Sequence, residues 1–144
     1  MSANIFVDTN IFVYAHVSND KLKHAMAVKL LTIKLAGEKI IVSTQVLSEF
    51  YSAMSKYKRS HEEISCFLGD IIQCANVIGI SLPTFEFSLK LKERYGYSFW
   101  DSLILAAAME SGCENLYSED MQHGRIIEGS LIIQNPFYSA IDNF

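Results

Sequence analysis

Proline and glycine are scarce in this 144-residue chain, at two and seven residues. The prolines, Pro83 and Pro136, fall at apparent element boundaries, so no Pro/Gly-rich linker divides the chain and a single domain over residues 1–144 is expected. There are three cysteines, Cys66, Cys74 and Cys113. They are odd in number and lack C-x-x-C spacing, which argues against a disulfide framework and against a zinc site and leaves buried reduced thiols as the expectation. Charge is also sparse: twelve Lys and Arg stand against sixteen Asp and Glu, a net charge of −4. No global basic field draws the protein to nucleic acid, so a phosphate partner has to be met locally. Long apolar runs are missing too. The longest, Leu103 to Met109, is far short of the roughly 18–20 residues that cross a bilayer, which excludes a membrane span. The opening residues have no basic stretch and their apolar run is cut at Asp8, so no secretory signal is read and a cytoplasmic protein is expected.

What the chain does have is material for a core, with 50% apolar and 12% aromatic residues, too rich for a disordered segment. Short β-branched or aliphatic runs at 4–7, 39–42 and 76–80 alternate with longer stretches of helical period, the pattern of an α/β protein with a central parallel sheet between helices. Weaker strand candidates lie at 115–117 and 130–133, the last hairpin-like because Gly129 precedes it. Helices are predicted over 24–36, ending near Gly37, then from an N-cap at Thr44, and over 61–74, 84–95 and 99–111. In the helix after Thr44, Val46, Leu47, Phe50, Tyr51 and Met54 form one apolar stripe. The last helix is apolar almost all round, which places it centrally. Tyr97, Phe99 and Trp100 read as core rather than as base-stacking residues.

Four carboxylates have unusual neighbours. Asp8 directly follows Ile5-Phe6-Val7, at the carboxyl end of the first strand, where open α/β sheets place ligands; it equally suits the cap of a short helix starting at Thr9. Glu49 lies on the flank of the apolar stripe, where an ordinary solvated glutamate is the plain alternative. Asp101 stands in Ser98-Phe99-Trp100-Asp101, an S-x-x-D capping arrangement before an apolar run, and a place in the first helical turn is expected to lower its pKa. Asp120, beside Glu119, follows the weak strand at 115–117. If the four converge, an empty site is costly, since two like charges 4 Å apart repel by about 4 kcal/mol at an effective dielectric of 20. A divalent cation removes that cost, and oxygen-only donors select Mg²⁺ or Mn²⁺. The chemistry such a site suggests is hydrolysis of a phosphodiester by metal-activated water. Setting the four acids aside leaves twelve negative and twelve positive charges, so the acidity is partly that of the site itself. An aspartyl-phosphatase reading of Asp8 wants a second Asp two residues on, where this chain has Asn10.

These residues carry a resemblance. Val7-Asp8-Thr9-Asn10, Ser43-Thr44-Gln45-Val46-Leu47-Ser48-Glu49-Phe50, Ser98-Phe99-Trp100-Asp101-Ser102-Leu103-Ile104 and Leu116-Tyr117-Ser118-Glu119-Asp120 resemble, in order, the four motifs of PIN-domain proteins of the VapC toxin type, and Asn135-Pro136-Phe137 fits the family's ending. The resemblance implies a PIN-like three-layer sandwich, with a mostly parallel sheet flanked by helices. It implies catalytic and metal-binding roles for Asp8, Glu49, Asp101 and Asp120 around Mg²⁺ or Mn²⁺. It further implies a metal-dependent endoribonuclease, the toxin of a toxin–antitoxin pair, acting on RNA, inhibited by a small antitoxin and usually a homodimer. A non-catalytic PIN-like module that binds RNA or a protein partner is the alternative. Asn10, Thr9 and Ser118 are candidates to orient a carboxylate or a bound water. Lys56, Lys58, Arg59, His123 and Arg125 are candidate RNA contacts, although solvated helix ends and loops explain them as well.

Overall fold

The computed structural model describes residues 3–17 and 19–138; the outermost residues of the expected 1–144 domain lie outside that range. The chain runs β1 (Asn4–Val7), α1 (Thr9–His16), α2 (Lys21–Gly37), β2 (Lys39–Ser43), α3 (Thr44–Lys56), α4 (His61–Cys74), β3 (Asn76–Ile78), α5 (Leu82–Tyr95), α6 (Phe99–Glu110), β4 (Asn115–Tyr117), β5 (Ile126–Ile127) and β6 (Leu131–Gln134). The strands form one sheet in the order β3-β2-β1-β4-β6-β5. All neighbours are parallel except β5 and β6. This is the expected α/β arrangement, a mostly parallel sheet flanked by helices.

The two aliphatic strands β1 and β2 are buried on both faces, as parallel strands under helices must be: Ile5, Phe6, Val7, Ile40, Ile41 and Val42 are all core residues, whereas β3 at the sheet edge is largely exposed. The apolar helix α6 supplies an unbroken buried run from Ser102 to Ala108, as its composition predicts. The chain moves from β1 to β2 on one side of the sheet and later returns to β4 on the other. The carboxyl ends of β1 and β4 therefore flank the point where strand order reverses, the place where open α/β sheets form a crevice.

Several local expectations are corrected. Helix α2 begins at Lys21 behind an Asp20 cap, three residues before the apolar period starts, because the cap's side chain and not the stripe sets the first turn. The cap of α3 is Ser43, whose side chain accepts from the Val46 amide at 3.4 Å, one residue before Thr44. The hairpin partner β5 was not predicted, since two residues carry no alternation. Its turn is fixed instead by backbone at positive φ, 50° at Glu128 and 71° at Gly129, the primed-turn geometry that matches strand twist. Cys66 and Cys74 are exposed and only Cys113 is buried. Trp100 is 61% exposed, because it stands before the point where α6 sinks into the core. No helix among the described residues is long and apolar enough to cross a membrane.

Candidate active site

Asp8 directly follows β1 and is the N-cap of α1, so the capping role its position suggested is present. Its Oδ1 accepts from the Thr9 amide at 2.7 Å and its Oδ2 accepts from Ser118 Oγ at 2.8 Å. Ser118 directly follows β4 next door, and its oxygen also accepts from the Asp120 amide at 3.2 Å. One hydroxyl thus ties the carboxyl ends of β1 and β4 together. Asn10, in the first turn of α1, donates from Nδ2 to Asp120 Oδ2 at 2.9 Å.

Glu49 reaches the same crevice from α3. Thr9 Oγ1 donates to its Oε2 at 3.1 Å, and Gln45 Nε2 donates to its Oε1 at 2.7 Å. The same Gln45 nitrogen donates to the Trp100 carbonyl at 3.1 Å, which joins α3 to the start of α6. Asp101 follows Trp100 in the first turn of α6. Its amide donates to Ser98 Oγ at 3.1 Å, half of a capping box.

The neighbour Glu119 faces the other way. It accepts from Tyr14 Oη at 2.6 Å and pairs with Lys23 Nζ at 2.9 Å. That arrangement leaves Asp120, and not Glu119, beside Asn10.

The electrostatics show a site short of positive charge. Among the described residues none of Asp8, Glu49, Asp101 and Asp120 takes part in an ion pair. Burial pushes the Asp8 carboxyl from an ordinary 3.8 up to about 7, against the lowering bonds from Ser118 and Thr9 and with the charges of Asp120 and Glu49 adding to the rise. Desolvation also raises Asp120, helped by the charges of Asp101, Glu119 and Glu49. Asp101 is raised as well by desolvation, against a lowering side-chain hydrogen bond from Ser98 and with the charge of Glu49 adding to the rise. The lowering expected from its place in the first turn is outweighed, because a partial dipole offsets less than the water lost in the crevice.

This donor set fits a hard divalent cation. It is all oxygen, its members repel one another, and among the described residues none of them pairs with a lysine or arginine. Among the described residues no three His, Cys, Asp or Glu side chains converge closely enough to enclose an ion by themselves.

Two pockets open beside Glu49. One, of about 460 Å³, lies between α1 and α3 and is lined by Asn10, Tyr14, Glu49, Lys56 and Tyr57 among others. The second, of about 530 Å³, lies between α3 and α6 and includes Gln45, Glu49, Ile80 and Trp100. Of the candidate RNA contacts, Lys56 alone lines either pocket. Lys58 forms the turn after α3 at φ 59°, and Arg59 pairs with Glu63 at 3.6 Å. His123 stacks on Tyr138 at 4.2 Å, and Arg125 lies over the Tyr95 and Tyr97 rings at 5.2 and 5.1 Å.

Sequence reasoning missed Gln45, Tyr14 and Lys23. For Gln45 a signal existed, since it stands four residues before Glu49 on one helix face. Tyr14 and Lys23 meet Glu119 only through the fold, across 105 and 96 residues, and nothing local marks them.

No curated protein sequence matches the chain. Solved structures do. The fold is similar to that of VapC20 from Mycobacterium tuberculosis, described as a sarcin–ricin loop cleaving toxin, at 22% identity over 79% of this chain and 88% of that one, with a TM-score of 0.68. It is similar to VapBC2 from Rickettsia felis, solved on a DNA fragment from their promoter, at 23% identity over 92% and 98% with a TM-score of 0.70. It is also similar to a toxin–antitoxin complex from Klebsiella pneumoniae, at 24% identity over 94% and 98% with a TM-score of 0.66. The model of the PIN domain matches residues 5–128. That match runs from β1 into the β5–β6 turn and takes in every acid of the crevice, and on it the chain belongs to the PIN domain family.

Proposed function

We propose that this protein is a divalent-metal-dependent endoribonuclease and the toxin of a toxin–antitoxin pair, with Asp8, Glu49, Asp101 and Asp120 as its catalytic and metal-binding acids. The observation that carries the reading is one crevice shared by four carboxylates that feel one another's charge, none of them in an ion pair among the described residues, beside the point where strand order reverses. The toxin role, a small antitoxin partner, a homodimer and a cytoplasmic setting rest on the likeness to VapC toxins and a toxin–antitoxin complex.

A bound Mg²⁺ or Mn²⁺ supplies an activated water and offsets the negative charge that builds on the phosphorus oxygens. The chain's own residues hold the acids to receive it. Ser118 and the Thr9 amide each occupy one lone pair on the two Asp8 oxygens, leaving a lone pair on each. Thr9 and Gln45 do the same for the two Glu49 oxygens, and Asn10 orients Asp120. Lys56, on the pocket side of α3, supplies a local positive charge for the RNA backbone.

Asp101→Asn tests the reading, because it removes the charge at nearly constant shape and leaves the bond from its amide to Ser98 in place. Loss of an orienting partner typically costs 10–100-fold, so removal of an acid itself is expected to cost at least about 100-fold in RNA cleavage with the fold intact. Undiminished cleavage would remove Asp101 from the mechanism.

A non-catalytic binding module is the second reading, favoured by the fact that no three side chains enclose an ion among the described residues. Calorimetric titration with Mn²⁺ separates the two. Heat of binding that is lost in Asp101→Asn supports the nuclease, and no binding at millimolar Mn²⁺ supports the module.

A further inference from the structure

The chain has one tryptophan, and the fold leaves it 61% exposed. An indole is among the largest apolar surfaces a protein can bury, so leaving it in water calls for a reason. Trp100 is also held in place. Its ring meets Phe99 edge to face with centroids 5.2 Å apart, and Phe99 meets Phe85 in the same way at 5.7 Å. Its backbone carbonyl is fixed by Gln45, whose amide also holds Glu49. The indole is therefore a braced surface on the wall of the pocket between α3 and α6, and that pocket shares Glu49 with the carboxylate crevice. Ile80 and Leu103 complete an apolar wall, while Thr44 and Ser52 add hydroxyls.

We propose that Trp100 is the stacking platform for an unpaired nucleobase of the RNA substrate, seated in the α3–α6 pocket next to the scissile phosphate. The proposal rests on the nuclease reading for its substrate and adds to it the surface that recognises single-stranded character. A base in a duplex is stacked on its neighbours and does not reach a side-chain ring, whereas a base in a loop or single strand does. Continuity with the acid crevice picks this occupant: a strand whose phosphate lies at Glu49 and Asp101 brings an adjoining base to the next opening in the surface. Lys56 marks the opposite side of Glu49, which gives the strand a course from the α1–α3 pocket across Glu49 to Trp100. Ring stacking is tolerant of base identity, so this subsite selects unpaired nucleotides rather than one sequence.

A lone tryptophan makes the test direct, because its fluorescence belongs to one residue. Single-stranded oligoribonucleotides are titrated into the whole protein in EDTA, where binding is read without cleavage. A matched strand with abasic positions and a matched hairpin duplex serve as controls. Saturable quenching by the single strand, at least several-fold weaker with the abasic strand and the duplex, is the expected result. In Mg²⁺ or Mn²⁺, Trp100→Leu is expected to raise KM for single-stranded RNA about 5- to 100-fold and Trp100→Phe to recover most of the loss. Equal quenching by base-containing and abasic strands, or an unchanged KM in Trp100→Leu, overturns the proposal while metal-dependent cleavage leaves the nuclease reading standing. A spectrum that shifts with protein concentration and ignores oligonucleotide also overturns it, and assigns Trp100 to a contact between protein copies. Base-dependent quenching by a protein that cleaves no RNA supports the subsite and removes the nuclease.

Discussion

Ser118 does two jobs with one hydroxyl, donating to Asp8 at 2.8 Å and accepting from the Asp120 amide at 3.2 Å. Ser118→Ala leaves Asp8 short of a donor in a buried place, and orienting partners of this kind typically carry 10–100-fold in metal affinity or activity. A drop of that size in cleavage, with part of it recovered at higher Mn²⁺, is expected from steady-state rates. The raised Asp8 carboxyl has a consequence for stability. In the metal-free protein its pKa is about 7 against an ordinary 3.8, so the folded state keeps a proton that the unfolded chain gives up. Stability is thus full below about pH 4 and falls as pH rises toward 7, by an amount on the order of 4 kcal/mol for this group alone. Urea unfolding of wild type and Asp8→Asn in EDTA reads it: the gap between the two should widen in favour of Asp8→Asn from pH 4 to pH 7, and a constant gap contradicts it. At this scale the four acids were legible because each stands beside an apolar run or a cap. The pKa direction of Asp101 was not, because desolvation depends on what the fold brings near.

Helix starts show how far local chemistry reaches. Ser60 begins α4 with both halves of a capping box, its side chain accepting from the Glu63 amide at 3.1 Å and the Glu63 carboxylate accepting from the Ser60 amide at 3.4 Å. Ser60→Ala is expected to cost about 1 kcal/mol in denaturant unfolding with cleavage unchanged, since α4 supplies none of the four acids. A loss of activity without loss of stability would contradict that division. The apolar period located the strands at 4–7 and 39–42 and the helices from 61 and from 99 to within a residue or so. It failed where capping geometry decides, as at Asp20 and Ser43, and where an element is too short to show a period, as in β5. The α1 helix was legible only as the alternative for Asp8, because its eight residues leave little room for an amphipathic stripe.

Over the whole molecule, the order β3-β2-β1-β4-β6-β5 is what makes a site of four separated acids. It sets β1 and β4 side by side, so Asp8 and Asp120 become neighbours across 112 positions, and it lays α3 and α6 over the crevice with Glu49 and Asp101. The alternation of short strands and long helices made the α/β class readable, whereas the side of the sheet to which each return goes is not written in any local pattern. Trp100 escaped for a related reason: its apolar neighbours resemble core, and only the packing of α6 shows that the indole stays outside. The central claim is that the four acids act through a divalent cation on RNA. Cleavage of a structured RNA pool by purified, antitoxin-free protein, in Mg²⁺ or Mn²⁺ and then with excess EDTA, tests it most directly. The account predicts cleavage that stops with EDTA and returns when Mn²⁺ is restored; cleavage that continues undiminished in EDTA, or no cleavage with Mn²⁺ bound to the site, would contradict it.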